Sequence, residues 1–340
     1  MRKILIIIFT LISSVSFSET INSKDTYYFK GLFYKKGIHK PFTGNVEGNW
    51  VGKFVKGKRE GQWEFFEKEK LVRRINYKNG LKHGLSEKIN LKGLYDGFKN
   101  WKDGKEHGKF EQYISKKIYR KGTYKNGKLD GLFEQYEDGE ISQRFHFKDG
   151  LWNGDVIYFY DKDKVVRHIQ FKNGKEHGFW KEYYENGNIQ SSKTFINGKQ
   201  VGIEEEFYEN GNRQWKTSYV NGEQDGLLIE YYENGKVLRK TNYIKGWKHG
   251  LYESFFENEK LSSTGEYFDN HKYRNWIFFW LNGNIKMTEE YNEEELGKHK
   301  VQIFNKNGKI KSKGIRYFNR NVGVWSYYED GKLVNTRDWK

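Results

Sequence analysis

Four histidines recur in one local setting. His83, His107, His177 and His249 each stand one residue before a glycine, in Lys-His-Gly or Glu-His-Gly. Imidazole is a common metal ligand, so the column raises metal binding first. If the recurrence follows successive strand pairs, equivalent atoms lie about 9.6 Å apart. Zinc ligands each lie about 2.0–2.1 Å from one ion. The histidines therefore read as a turn preference, and no metal site is expected. Glu204-Glu205-Glu206, Glu289-Glu290 and Glu293-Glu294-Glu295 could supply paired carboxylates for glycoside chemistry, which needs two carboxyls converging in a cleft. Consecutive strand residues point to alternating faces, so these runs read as solvated surface. The chain has no cysteine and no Gly-x-Ser-x-Gly, Gly-x-Gly-x-x-Gly or Gly-x4-Gly-Lys segment, which leaves no catalytic or cofactor-binding residue to name.

The element beneath these residues is a repeat of the form aromatic-x-x-Gly-x-x-x-Gly. It occurs as Phe54-Gly57-Gly61, Tyr77-Gly80-Gly84, Trp101-Gly104-Gly108, Tyr124-Gly127-Gly131, Phe147-Gly150-Gly154, Phe171-Gly174-Gly178, Phe195-Gly198-Gly202, Tyr219-Gly222-Gly226 and Tyr243-Gly246-Gly250. These copies are 23 or 24 residues apart, and a fixed period of that size marks a repeat architecture. Degenerate copies flank them at Tyr34-Gly37 and at Tyr267, Tyr291 and Tyr317, where Asn270, Glu294 and Arg320 replace the first glycine. Asn275 stands where a glycine is expected, and the interval from Tyr291 to Gly297 is compressed.

Each unit carries two turn signals. One follows the aromatic, as in Asn79-Gly80 or Asn197-Gly198, and the other follows a Tyr-Tyr-Glu-like run, as in Asn186-Gly187 or Asn210-Gly211. Both suit hairpin turns with positive φ. Two strands per unit then make an all-β, antiparallel meander, an elongated single-layer twisted sheet or solenoid of tandem β-hairpin repeats. Alternation places Ile189, Ser191, Lys193 and Phe195 on one face, and likewise Arg213, Trp215, Thr217 and Tyr219. The expected organisation is a signal peptide over 1–18, a lead-in over 19–33 and about thirteen repeats over 34–340.

The 340 residues include 61 Lys and Arg against 45 Asp and Glu, a formal charge of +16. Mean hydropathy is −0.97, yet 18% of residues are aromatic, whereas a disordered chain of that polarity is poor in aromatics. The charge is polarised. Residues 51–100 hold 13 basic and 6 acidic side chains, whereas residues 201–300 hold 13 and 18. Arg2 and Lys3, the apolar run Ile4–Ile12 and Ser16-Phe17-Ser18 before Glu19 have the order of an export signal. The expected location is the periplasm, cell surface or exterior, with no transmembrane helix in the mature chain.

The unit followed by Tyr-Tyr-Glu-Asn-Gly (Tyr183–Gly187, Tyr231–Gly235) resembles the MORN repeat in its bacterial variant form. Pro41-Phe42-Thr43-Gly44 is similar to the opening of YwqK-type antitoxin proteins built of the same repeat. The resemblance implies interaction rather than catalysis. A protein partner, such as a host or envelope protein, is expected first. Neutralisation of a partner toxin and binding to an anionic lipid or glycan surface are the alternatives. Export argues against nucleic acid. The expected interaction surface includes Trp63, Trp101, Arg73, Arg74, Trp152, Trp180 and Trp215.

Overall fold

In a computed structural model, residues 18–161, 163–292 and 297–340 are described. The expected export signal therefore lies, but for Ser18, outside the described residues, as do Glu293, Glu294 and Glu295. Among the described residues the chain is nearly all strand, and the one helical element is a single 3-10 turn, Ser23–Asp25. No helix among the described residues is long and apolar enough to cross a membrane.

Contacts divide the chain into two compact units. One runs through Glu140 and includes Phe147–Gly150. The other comprises Ile141–His146 with Leu151–Lys340. In the first unit, Thr20–Asn22 pairs in parallel with Gly44–Glu47. From Gly44 onward each strand pairs antiparallel with the next, through Trp50–Val55, Lys58–Glu67, Lys70–Lys78, Leu81–Ile89, Tyr95–Lys102, Lys105–Ile114 and Lys117–Lys125. Tyr34 lies in a separate hairpin, Thr26–Phe29 with Leu32–Lys35, so the regular meander starts at Gly44. The second unit repeats the same sequential pairing from Leu151–Asp161 to Lys332–Trp339. The expectation of an antiparallel hairpin-repeat meander holds within each unit.

From Phe54 to Tyr267 the turn after each closing aromatic has positive φ at both central residues, for example Asn79 at 52° and Gly80 at 85°. This two-residue geometry matches strand twist. The turns also stack. Gly80, Gly104, Gly127, Gly174, Gly198, Gly222 and Gly246 each donate their N–H to a carbonyl 21 or 22 residues earlier, at 2.7–2.9 Å. Asn270, which replaces the first glycine, does the same to Lys248 at 3.0 Å. Seven residues after Tyr267, at the position of the second glycine, Arg274 takes the left-handed conformation with φ 54°, so the departure from glycine falls at Arg274 and not at Asn275.

The second Asn-Gly is a different turn. At 184–188 only Gly187 has positive φ, the Gly187 N–H bonds the Tyr184 carbonyl at 2.9 Å, and Asn186 Oδ1 accepts from Asn188 N–H at 2.9 Å. This is a type I turn closed by a left-handed glycine. Its side chains reach the following repeat. The hydroxyls of Tyr184, Tyr208 and Tyr232 donate to the carbonyls of Phe207, Tyr231 and Phe255 at 2.7–2.9 Å. The Asn186 and Asn188 amides both donate to the Glu209 carbonyl at 2.9 Å, and Asn210 and Asn212 repeat this at Glu233. The Tyr-Glu-Asn-Gly-Asn run is thus a ladder that satisfies backbone carbonyls from one unit to the next.

Candidate functional site

One face of the meander is packed. Its main row is the residue two beyond the second glycine. Trp63, Trp276 and Trp325 occupy that row fully buried, and each lies across Gly52, Gly265 or Gly314 on the neighbouring strand. A Cβ at any of these glycines would sit 2.3–2.4 Å from the indole. The glycine provides the space, and the ring covers the exposed backbone. Trp63, expected on the interaction surface, is therefore a core residue. Its burial follows from a glycine eleven positions earlier, which the repeat consensus does not include. Phe54 packs edge-on against it at 4.6 Å, and the Arg59 guanidinium covers it at 5.1 Å.

The other expected surface aromatics are also engaged within the sheet. Trp101 Nε1 donates to Ser86 Oγ at 2.7 Å, and Trp152 packs on Phe171 at 4.9 Å. Trp180 lies under Lys193 at 4.9 Å, and Trp215 Nε1 donates to Glu206 at 3.0 Å. Arg74 pairs with Glu64 at 3.0 Å and with Glu87 at 3.7 Å. The closing aromatics Tyr77, Tyr124, Tyr219, Tyr243, Tyr267 and Tyr291 are buried or half-buried. Burial pushes the Tyr219 phenol up to about 12, reinforced by the Glu204 carboxylate.

Apart from His177, whose Nδ1 is buried without a hydrogen-bond partner among the described residues, the carboxylates and imidazoles of the sequence reading meet structural partners. Glu204 and Glu206 share the packed face, but Glu204 is buried against Lys193 at 2.9 Å and Gln200 at 2.8 Å. Glu205 faces the other way and meets Arg213 at 2.8 Å. Glu289 is buried among Lys272 at 2.8 Å, Tyr291 Oη at 2.9 Å and His299 at 3.8 Å. His83, His107 and His249 each reach the turn residue of the next unit, Asp103, Asn126 and Asp269, at 3.2–3.4 Å.

The opposite, open face carries what the sequence reading missed. Ile196, Val220, Ile244 and Phe268 follow the closing aromatics of four successive repeats, 24 residues apart. Ile203, Leu227 and Leu251 form a parallel row one position beyond the second glycine. Ile203 pairs with Ser218 and Leu227 with Asn242, which places both rows on the same face. All seven are 40–60% exposed, and exposed Trp247 pairs with Ile244. Equivalent residues recur about 9.6 Å apart, two strand spacings. The signal was present as a 24-residue recurrence of aliphatics beside the aromatics, hidden because the aromatics dominate the period.

This regular stretch coincides with a family match. The model described as MORN repeat variant matches residues 176–197, 200–221, 224–245 and 248–270. All four matches lie within residues 176–270, less than half of the chain. MORN repeats mediate interactions with proteins or membranes. No curated protein sequence matches the chain. Among solved structures, it is similar to a chain of the TcdB2-TccC3-Cdc42 crystal structure at 8% identity and TM-score 0.17, covering 87% of this chain and 20% of that one. A chain of the Photorhabdus luminescens Tc holotoxin pore, carrying a TccC3-D651A mutation, gives 9% identity and TM-score 0.17, over 88% of this chain and 21% of that one. The chain thus spans about a fifth of the length of these structural relatives.

Proposed function

We propose that the protein is an exported, non-enzymatic binding scaffold whose MORN array engages a protein partner through its open face. The observation that carries this reading is the double aliphatic row from Ile196 to Phe268. Contiguous exposed apolar surface on a soluble sheet marks an interaction site. Residues 201–300 hold five more acidic than basic side chains, so the fitting partner offers apolar anchors with a basic rim. The non-enzymatic part rests on the carboxylates, since Glu204, Glu206 and Glu289 are each matched to a fixed partner.

The test places a photoreactive amino acid at Val220 of the full chain in intact cells. The expected result is one recurrent crosslinked protein, lost when Ile196, Ile244 and Phe268 around the probe are all replaced by lysine. Undiminished capture by that variant overturns the reading. N-terminal sequencing of the mature chain, with Glu19 expected first, tests export separately.

A further inference from the structure

The packed row has one gap. Between Trp63 and Phe110, both fully buried or nearly so, the equivalent position is Ser86, which pairs with Ile75 on one side and Lys99 on the other. A second small residue adjoins it. Gly97 pairs with Lys88 and Gln112, at the position where the preceding and following repeats carry Arg73 and Arg120. Gly97 has φ 126°, and a Cβ there would lie 2.1 Å from the Glu111 carbonyl oxygen. The backbone conformation therefore requires glycine and keeps this position empty of side chain. Together Ser86 and Gly97 leave a cavity of about 350 Å³.

Its charge is unbalanced. The carboxylates in the wall are already engaged: Glu87 with Arg74 at 3.7 Å, Asp96 with Lys88 at 3.3 Å, and Glu111 with the Tyr113 hydroxyl at 2.6 Å. Lys99 meets Glu106 at 2.5 Å. Arg73 and Lys82, which also line the cavity, have no carboxylate partner among the described residues. Lys82 instead rests over the Trp101 ring at 4.1 Å. Burial, joined by Arg73 and Lys99 and opposed by Glu106, holds its ammonium below the ordinary lysine value. The Ser86 hydroxyl is engaged by the Lys99 carbonyl and by Trp101, so the two cations without a carboxylate partner are what an anion would stabilise.

We propose that this cavity binds a small organic anion, its carboxylate, sulfate or phosphate head between Arg73 and Lys82 and its body over Ser86 and Gly97. The arginine contributes a planar fork for two oxygens and the lysine a point charge. This site is independent of the open-face surface and lies on different residues.

The test is calorimetric titration of the full chain with benzoate, phenyl sulfate and phenyl phosphate, which separates the three head groups. Saturable binding of at least one is expected, weakened about tenfold or more in Arg73→Ala and in Lys82→Ala. Lys109→Ala removes the same charge from the open face and is expected to bind as the parent does. Ser86→Trp fills the gap, and Trp180 opposite Ile169 shows that this row accepts tryptophan across from isoleucine. That variant is expected to lose binding, and because it also removes the acceptor of Trp101 Nε1 its folding is checked by melting temperature. Absence of saturation with all three ligands overturns the proposal, and so does equal weakening by Lys109→Ala and Lys82→Ala. Should Ser86→Trp fail to fold, the Arg73, Lys82 and Lys109 comparison decides alone.

Discussion

After the closing aromatic, five successive repeats carry Lys78, Lys102, Lys125, Lys148 and Lys172, all exposed, while the next four carry Ile196, Val220, Ile244 and Phe268, equally exposed. The packed face changes in the opposite sense. The early repeats bury Phe54, Trp63, Ile75 and Tyr77 in one apolar cluster, whereas the MORN stretch buries Ser191, Glu204, Thr217 and Thr241. The early repeats also lack the tyrosine and asparagine ladder, since Lys68-Glu69 and Ser115-Lys116 turn in two residues, both at positive φ. One backbone period thus supports two ways of joining units. Early units are joined through buried rings, and MORN units through side chain to carbonyl bonds. In the second kind the apolar side chains face water, where they add little to folding.

The largest expected effect is on the buried row. Trp63→Ala removes a fully buried indole and leaves Gly52 uncovered, and should destabilise by about 3–5 kcal/mol. Leu228→Ala, at the same row in the MORN stretch but half-buried, should cost roughly 1 kcal/mol. Denaturant unfolding of the two variants measures the difference, and equal losses would dissolve the distinction between the two packing modes.

The next effect belongs to the ladder. Replacing Tyr184, Tyr208 and Tyr232 together by phenylalanine keeps the rings and deletes three hydroxyl to carbonyl bonds. Each bond contributes about 1 kcal/mol, so roughly 3 kcal/mol should be lost. Amide exchange should accelerate across 176–270 and stay unchanged in Gly44–Lys125. Uniform acceleration would mean that the ladder is not what joins these units.

These contrasts mark how far the sequence could be read. The meander, its sequential pairing and the turns after the aromatics were legible, because a strict 23- or 24-residue period leaves little freedom of register. The two faces of each strand were also legible by alternation. What failed was depth. Trp63 is buried because Gly52 lies beneath it, and Ser86 opens a cavity because Gly97 is adjacent. Both depend on which residue of one unit stands beside which residue of the next, information that appears only when the units are superposed in their true register. The second Asn-Gly misled for a related reason: the dipeptide is the same, but there the asparagine side chain accepts from the N–H two residues on and only the glycine takes positive φ.

A smaller effect, tied to pH, arises where the packed row turns ionisable. His299 is buried, stacked on Tyr291 at 4.4 Å and 3.8 Å from Glu289. Burial lowers its pKa; Arg316 and Lys272 push the same way, while Glu289 and the Gly297 carbonyl oppose. The unfolded histidine takes its proton near pH 6.5, and the folded one only at lower pH. Between those values the unfolded state binds more protons, so stability falls as the pH drops below about 6.5 and levels off beneath the folded pKa. The slope is about 1.4 kcal/mol per pH unit within that window. In His299→Phe, which keeps the stacked ring, denaturation at stepped pH should lose this slope.

The smallest effect on stability falls on the row that opened the comparison, and it is the most informative. Exchanging Lys78, Lys102 and Lys125 for isoleucine, or Ile196, Val220 and Ile244 for lysine, alters side chains that project into water from an unchanged strand. Each exchange should move stability by no more than about 0.5 kcal/mol per site. The two variants should nevertheless differ sharply in behaviour. The first creates an aliphatic row on the early repeats and should acquire binding of a hydrophobic reporter dye, and the second should lose it. If the exchange to lysine instead unfolds the MORN stretch, the aliphatic row is part of how those repeats cohere. Retained stability together with lost dye binding would assign the row to recognition, because selection for folding alone gives no reason to keep four hydrophobes exposed where five lysines served before.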